Sequence, residues 1–175
     1  MSTLLVVRSM DKTDSRNAAD DRILLREMHH VCLAVRDVEK TAEAFSTIFG
    51  IGPFRITLYE SPSTRATLYG KPQGYRLKFA HAEAGPVEIE LVQTLEGKAA
   101  IDDFIERRGE GIHHLAFECH PPLDDELRKW KELGVEALQI DRSLSDDPKY
   151  GWAYMDTERL VGCVLEIMCL PPGEQ

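Results

Sequence analysis

The stretch MHHVCLAV (residues 28–35) has a second copy further along the chain, IHHLAFEC (residues 112–119). Each copy is a pair of histidines that leads into an apolar stretch typical of a buried strand, and a pattern typical of a helix follows each one. Self-similarity of this kind indicates two copies of one supersecondary unit, and two packed copies can contribute residues to a single site. The repeat therefore decides both the predicted fold and the predicted site.

Each half closes with another apolar strand that carries glutamate, VEIELV (residues 87–92) in the first half and VLEIM (residues 164–168) in the second. Alignment of the halves puts Glu90 and Glu166 in matched positions, because each precedes a matched apolar pair. Glu88 lies two residues before Glu90 and therefore on the same face of the strand. It remains the rival of Glu90 for a role in the site.

Adjacent residues of a strand point to opposite faces, so only one histidine of each pair is expected to face a shared cleft. We choose His30 and His114, because this choice brings the apolar residues that follow into register. His29 and His113 are then expected on the opposite face of the sheet.

His30, Glu90, His114 and Glu166 together suggest a metal ion held by two nitrogen and two oxygen ligands. Taken singly, such a histidine or glutamate is more often a core or edge residue. The set of four favours a metal site over this ordinary explanation, because each buried carboxylate is costly unless a positive group compensates it. Mixed imidazole and carboxylate ligation suits a divalent ion with open positions, such as Zn, Co, Mn, Ni or Fe.

The order of predicted elements gives an α+β fold of two βαβββ repeats. They form a curved mixed sheet with helices on its outer face and an open metal-binding cleft on its inner face. The first and last strands of each repeat are expected to be neighbours. We place an N-terminal arm at residues 1–26 and a single domain at 27–175, with repeats at about 28–94 and 112–170 and a linker helix at about 97–108.

Composition narrows the class of protein. The chain has 175 residues, 43% of them hydrophobic and 29% charged, as in folded globular domains. A net charge of −9 argues against a nucleic-acid partner. The early apolar run at residues 4–7 is too short for a membrane span or a signal-peptide core, so we expect a cytoplasmic protein without a membrane partner. The four cysteines form no C-x-x-C pair and are expected to be buried thiols in a reducing compartment.

The histidine and glutamate strands resemble those of the vicinal oxygen chelate superfamily, which includes glyoxalases, bleomycin resistance proteins and ring-cleaving dioxygenases. Within it, the stretch FIERRGEGIHHLAFE (residues 104–118) and the stretch HVCLAV (residues 30–35) resemble the methylmalonyl-CoA epimerases most closely. The likeness covers about residues 28–168.

This resemblance implies the same four ligands, with two further coordination positions for oxygen atoms of a carbonyl or acyl-CoA substrate. It implies abstraction of a proton next to that carbonyl, with Glu166 as one candidate base and the metal as the Lewis acid that stabilises the enolate. It also implies a homodimer.

The sequence departs from the epimerase pattern in the strand YRLKF (residues 75–79), which carries no acid. Arg76 and Lys78 share one face of this strand and either bind a substrate carboxylate or phosphate or lie on a solvent-facing edge. Tyr154 is a further candidate for substrate binding, and either Tyr154 or Glu60 is a candidate second proton donor.

Three other functions stay open. A glyoxalase-type lyase or isomerase would act on another carbonyl substrate through the same four ligands. An Fe(II) ring-cleaving dioxygenase would use two histidines and one carboxylate, which requires Glu90 to turn away from the metal. A non-catalytic module would sequester a small molecule between aromatic side chains, for which Phe79, Trp152 and Tyr154 are available.

Overall fold

The structure is a computed structural model that describes residues 23–25 and 27–173. These residues form ten strands and four helices. In chain order they are β1 (Met28–Ala34), α1 (Val38–Phe49), β2 (Arg55–Ser61), β3 (Ala66–Leu68), β4 (Lys71–Pro72), β5 (Tyr75–Ala84), β6 (Val87–Gly97), α2 (Ala100–Arg108), β7 (Gly111–Glu118), α3 (Leu123–Glu132), β8 (Ala137–Asp141), β9 (Gly151–Met155), α4 (Glu158–Val161) and β10 (Val164–Cys169).

All ten strands belong to one mixed sheet with the order β2-β5-β6-β1-β7-β10-β9-β8-β3-β4. The order β2-β5-β6-β1 of the first half is mirrored by β8-β9-β10-β7 in the second, and the halves meet where β1 pairs antiparallel with β7. The predicted α+β fold of two repeats is confirmed. The short β3–β4 hairpin departs from the simple repeat, because it comes from the first half but pairs with β8 in the second.

The first and last strands of each repeat are parallel neighbours, as the sequence predicts. In the first half His30 stands opposite Glu88 and Cys32 opposite Glu90. In the second half His114 stands opposite Val164, and Glu166 stands two residues further along β10. The two histidine strands thus form the middle of the sheet, and each has its glutamate strand beside it.

The helix α1 shows how the amphipathic segments cover the outer face. Asp37 caps it by accepting a hydrogen bond from the Lys40 backbone N–H at 2.9 Å. Its buried residues Val38 and Ala42 pack in one cluster with Ala80 of β5 and Leu91 of β6. Apolar residues at the helical spacing therefore fix this helix on the face away from the cleft.

A hydrogen-bonded seam joins the two ends of the curled sheet. The Tyr59 hydroxyl on β2 donates to the Asp141 carboxylate on β8 at 2.7 Å, and the Tyr75 hydroxyl donates to the other carboxylate oxygen. Beside them the Ser61 and Ser143 hydroxyls lie 2.6 Å apart. Burial, together with the Asp141 charge, raises the pKa of both tyrosines, so the hydroxyls remain donors. These contacts hold the sheet in a half-barrel.

The expectation of four free thiols is wrong for one pair of cysteines. Cys119 and Cys169 form a disulfide, with Cα atoms 5.0 Å apart. Cys119 directly follows β7 and Cys169 is the last residue of the parallel strand β10, where the Cys119 backbone N–H donates to the Met168 carbonyl. Cys32 and Cys163 are free, and Cys32 is fully buried as predicted.

The predicted N-terminal arm, residues 1–26, falls outside the described residues except for 23–25, where Ile23 and Leu25 pack against the core under α3. Among the helices that the structure describes, none has the length and apolar character needed to cross a membrane.

Removal of the Asp141 carboxylate tests the seam. Asp141→Ala leaves the buried Tyr59 and Tyr75 hydroxyls without their acceptor, at about 1–3 kcal/mol for each hydroxyl. We expect the free energy of unfolding, measured by urea denaturation, to fall by about 2–6 kcal/mol. Glu60→Ala, a change at an exposed position on β2, is the control and should cost less than about 0.5 kcal/mol. Equal stability of the two variants would contradict the role of the seam.

Candidate metal centre

Two β-bulges bring both members of each histidine pair toward the inner face. Along the β1–β7 ladder the pairing skips His29 on β1 and His113 on β7, so that each bulge inserts one extra residue. A bulge interrupts the alternation of side chains and redirects the extra one. The expectation that His29 and His113 lie on the opposite face is therefore wrong. His29 lines the inner cavity, and His113 packs against Tyr154 on the inner side.

Four buried side chains converge between the two halves of the sheet. The Nε2 atoms of His30 and His114 lie 3.1 Å apart. The Glu166 carboxylate lies 2.9 Å from Nε2 of His114 and 3.2 Å from Nε2 of His30. The Glu90 carboxylate lies 3.7 Å and 3.6 Å from the same two nitrogens. The structure thus brings together all four side chains that the sequence singled out.

The charge balance of this cluster suits a cation. Burial lowers the pKa of His30, but Glu90 and Glu166 outweigh burial and raise the pKa to about 9. Burial raises the pKa of Glu166, but His114 and His30 outweigh it and bring the pKa to about 2. Two carboxylates at 6% and 4% exposure therefore need positive charge beside them.

The geometry fits a single ion. His30, Glu90 and His114 each offer one ligand atom, and these atoms lie within 4.8 Å of one another. Two nitrogens bound at about 2.1 Å and at right angles stand about 3 Å apart, close to the separation of the two Nε2 atoms. Imidazole nitrogen and carboxylate oxygen are ligands that zinc and the neighbouring divalent transition metals accept.

Glu88, the rival of Glu90, has another partner. Its carboxylate lies 2.5 Å from Nδ1 of His81 on β5. Nε2 of His81 lies 3.8 Å from the second carboxylate oxygen of Glu90. His81 stands opposite Glu90 in the β5–β6 ladder, as Tyr154 stands opposite Glu166 in the β9–β10 ladder. The glutamate of the first half that faces the cluster is therefore Glu90, and Glu88 contacts a histidine beside it.

Three members of the cluster, His30, Glu90 and Glu166, line a cavity of about 350 Å³ on the inner face of the sheet. Phe79, Trp152 and Tyr154, the aromatic residues that the sequence offers to a small-molecule binding module, are part of its lining. Tyr154 packs on the His114 ring with centroids 4.7 Å apart. Burial, with the Glu166 charge next, raises the pKa of Tyr154 well above its ordinary range, so the phenol stays protonated.

The structure does not bring Arg76 and Lys78 to this cavity. They lie on the opposite face of β5, where Arg76 pairs with Glu96 at 2.7 Å and Lys78 with Glu39 of α1 at 2.5 Å. Glu60, considered as a proton donor, is exposed on β2 and is not part of the cavity lining. The inner face of β5 carries Phe79 and His81 instead.

Among the lining residues that the sequence reasoning did not place in the site, those with groups able to bind a substrate or move a proton are His29, Arg55, Tyr59 and His81. The alternation Leu77, Phe79, His81 carries a signal for the last of these, because two large apolar residues mark the inner face of β5. Arg55 and Tyr59 lie on one face of an edge strand, where polar and apolar residues alternate without a clear inward side.

Comparison with known proteins supports the assignment of the fold. Residues 29–151 match the family model of the Glyoxalase/Bleomycin resistance protein/Dioxygenase superfamily. The chain is 21% identical over 152 residues to the uncharacterized protein YqjC of Bacillus subtilis, with 86% of this chain and 96% of that protein covered.

Solved structures share the fold at low identity. Methylmalonyl-CoA epimerase from Mycobacterium tuberculosis matches with a TM-score of 0.57 and 20% identity over 87% of this chain and 95% of that chain. A Streptomyces coelicolor methylmalonyl-CoA epimerase variant in complex with 2-nitronate-propionyl-CoA matches with a TM-score of 0.59 and 19% identity, over 87% and 99%. A hypothetical protein from Bacillus halodurans matches with a TM-score of 0.57 and 20% identity, over 85% and 97%.

A curled mixed sheet of two repeats around a buried cluster of two histidines and two glutamates defines a class of half-barrel proteins. The chain belongs to the Glyoxalase/Bleomycin resistance protein/Dioxygenase superfamily.

Proposed function

We propose that this protein is a metal-dependent isomerase that removes a proton next to a carbonyl group, and that its substrate is an acyl-CoA, as for a methylmalonyl-CoA epimerase. The convergence of two histidines and two glutamates on one point beside the cavity carries the proposal. The epimerase structures of the same fold support the substrate class.

His30, Glu90, His114 and Glu166 would hold a divalent ion. When bound, the ion supplies a Lewis acid beside a substrate carbonyl and favours the negative charge that develops when the neighbouring carbon loses a proton. Phe79 and Trp152 form an apolar part of the cavity lining, against which the carbon chain of a substrate can pack.

Inversion at a carbon needs a proton-transfer group on each side of it. Glu166 lines the cavity and is the candidate base in the second half of the sheet. In the first half, His81 places Nδ1 against the Glu88 carboxylate. When that nitrogen carries the proton, Nε2 has a free lone pair next to the cavity and can accept or return a proton.

Arg55 is a basic residue of the cavity lining and stands opposite His81 on the neighbouring strand. Its guanidinium suits a carboxylate or phosphate of an acyl-CoA better than a neutral substrate. We therefore assign to Arg55 the contact with a substrate carboxylate or phosphate that the sequence suggested for Arg76 and Lys78.

The dioxygenase alternative loses support because Glu90 does not turn away from the cluster. Its carboxylate lies 3.6 Å and 3.7 Å from the two histidine nitrogens. A binding module that relies on aromatic contacts alone has no use for two buried carboxylates, whose desolvation is costly. A lyase or isomerase of the glyoxalase type uses the same ligands, and the substrate assay below separates it from an epimerase.

The metal content of the protein gives the first test of the proposed function. Purified without a tag, the protein is expected to contain about one divalent ion per chain by inductively coupled plasma mass spectrometry. His114→Ala and Glu166→Ala each remove one of the four ligands and should lose most of it. Glu88→Gln is the matched control, because that carboxylate contacts His81 instead of the cluster. Metal-free wild-type protein that takes up none on soaking would overturn the proposal.

Exchange of the substrate proton is the second prediction. In D₂O the protein should introduce deuterium at the α-carbon of methylmalonyl-CoA and invert that carbon. His81→Gln keeps a side chain of similar length that cannot take a proton, and it should slow inversion by about 10²–10⁴-fold. The metal content of this variant should stay at the wild-type level. Wild-type protein that holds metal but gives no exchange would exclude the epimerase and leave a glyoxalase-type substrate to be tested.

Substrate binding gives the third prediction. Arg55→Gln should raise KM for methylmalonyl-CoA about tenfold or more, because a hydrogen bond to a charged group contributes about 1.5 kcal/mol or more. Arg76→Gln on the outer face of the same sheet should leave KM unchanged. An unchanged KM for Arg55→Gln together with a raised KM for Arg76→Gln would restore the sequence-based assignment of Arg76 to the substrate site.

A further inference from the structure

Each histidine that faces the cluster has its chain neighbour as a hydrogen-bond partner. Nδ1 of His30 lies 2.9 Å from Nδ1 of His29, and Nδ1 of His114 lies 2.8 Å from Nδ1 of His113. The ring pairs have nearly the same geometry, with centroids 5.1 Å apart and interplanar angles of 85° and 84°. The arrangement therefore occurs twice, at both bulges of the β1–β7 ladder.

This contact determines where the proton of each cluster histidine resides. Nε2 of His114 points to the Glu166 carboxylate and to His30, so ligation requires a lone pair on Nε2 and a proton on Nδ1. That Nδ1–H can donate only to an unprotonated nitrogen. Nδ1 of His113 is such an acceptor when His113 carries its own proton on Nε2.

The surroundings of His113 hold it in place. It is 1% exposed, and the rings of Phe104 and Tyr154 pack edge-to-face on it with centroids 5.1 Å and 5.0 Å away. His29, in contrast, is partly exposed and lines the cavity. His113 thus contacts its cluster histidine and the core, and it is not part of the cavity lining.

We propose that His113 is a positioning residue that accepts the Nδ1–H of His114 and so fixes the tautomer and ring orientation in which Nε2 binds the metal. His29 does the same for His30 in the first half. Metal-bound histidines usually donate this proton to a carboxylate, a backbone carbonyl or water, whereas here a bulged neighbouring imidazole takes that place. The inference rests on the proposed metal site and assigns a role to the first histidine of each repeated pair.

Two substitutions separate a hydrogen-bond acceptor from a packing residue. His113→Leu keeps an apolar side chain in the buried position but has no acceptor, whereas His113→Asn places an amide oxygen at about the position of Nδ1. Affinity for Zn²⁺ and Co²⁺ is measured by competition with a chromophoric chelator, and the visible spectrum of bound Co²⁺ reports its ligand geometry. The free energy of unfolding of the metal-free protein is measured in parallel.

We expect His113→Leu to weaken metal binding about 10–100-fold and to change the Co²⁺ spectrum, without a matching loss of stability in the metal-free protein. His113→Asn should recover most of the affinity. Leu127→Ala, which alters the packing of α3 in a different cluster of the core, is the packing control and should bind metal as the wild type does. His29→Leu and His29→Asn repeat the comparison in the first half and keep the test valid if His113→Leu does not fold.

Wild-type affinity in both leucine variants would overturn the inference while leaving the metal site intact. Equal weakening by leucine and asparagine would also overturn it, because packing alone would then explain the loss. Wild-type protein that binds neither ion would overturn the proposed function and this inference together.

Discussion

Two carboxylates buried side by side in an apolar sheet are the constraint on which the rest of the structure depends. Glu90 and Glu166 are almost completely shielded from water, and each buried charge costs several kcal/mol unless it is compensated. His30 and His114 supply part of the compensation, and the raised pKa of His30 records it. A divalent cation between the four groups would complete it. Such a cluster is expensive for stability alone and is therefore best explained by function.

Pairing of the two repeats brings both histidines next to the two buried carboxylates. A single repeat holds one histidine and one glutamate on parallel neighbours, which is half of a site. The antiparallel contact of β1 with β7 joins the halves, and the bulges at His29 and His113 adjust the strands where they meet. The seam around Asp141 then closes the other end of the curl. The geometry of the cluster and the closure of the fold thus depend on the same repetition.

The repeat was enough to predict the fold, the neighbouring strands and the four side chains that meet. The spacing of the apolar residues and the matched positions of the histidines and glutamates can both be read directly from the sequence. The bulges were not predictable, since strict alternation assumes an uninterrupted ladder. That assumption placed His29 and His113 on the wrong face. The prediction of substrate-binding residues failed for a different reason. The charges of Arg76 and Lys78 suggested a role in binding, but the alternation of apolar residues along β5 directs Phe79 and His81 to the cavity instead.

The symmetry of the cluster contrasts with the asymmetry around it. The positions of His30 and His114, and of Glu90 and Glu166, are equivalent in the two halves. The next positions are not: His81 in the first half corresponds to Tyr154 in the second, and Glu88 corresponds to Val164. Duplication of one unit gives a symmetric set of ligands for an ion. In the proposed mechanism, divergence of its neighbours places the His81 imidazole in the first half where the second half has the Tyr154 phenol, so the proposed proton-transfer groups His81 and Glu166 do not occupy equivalent positions.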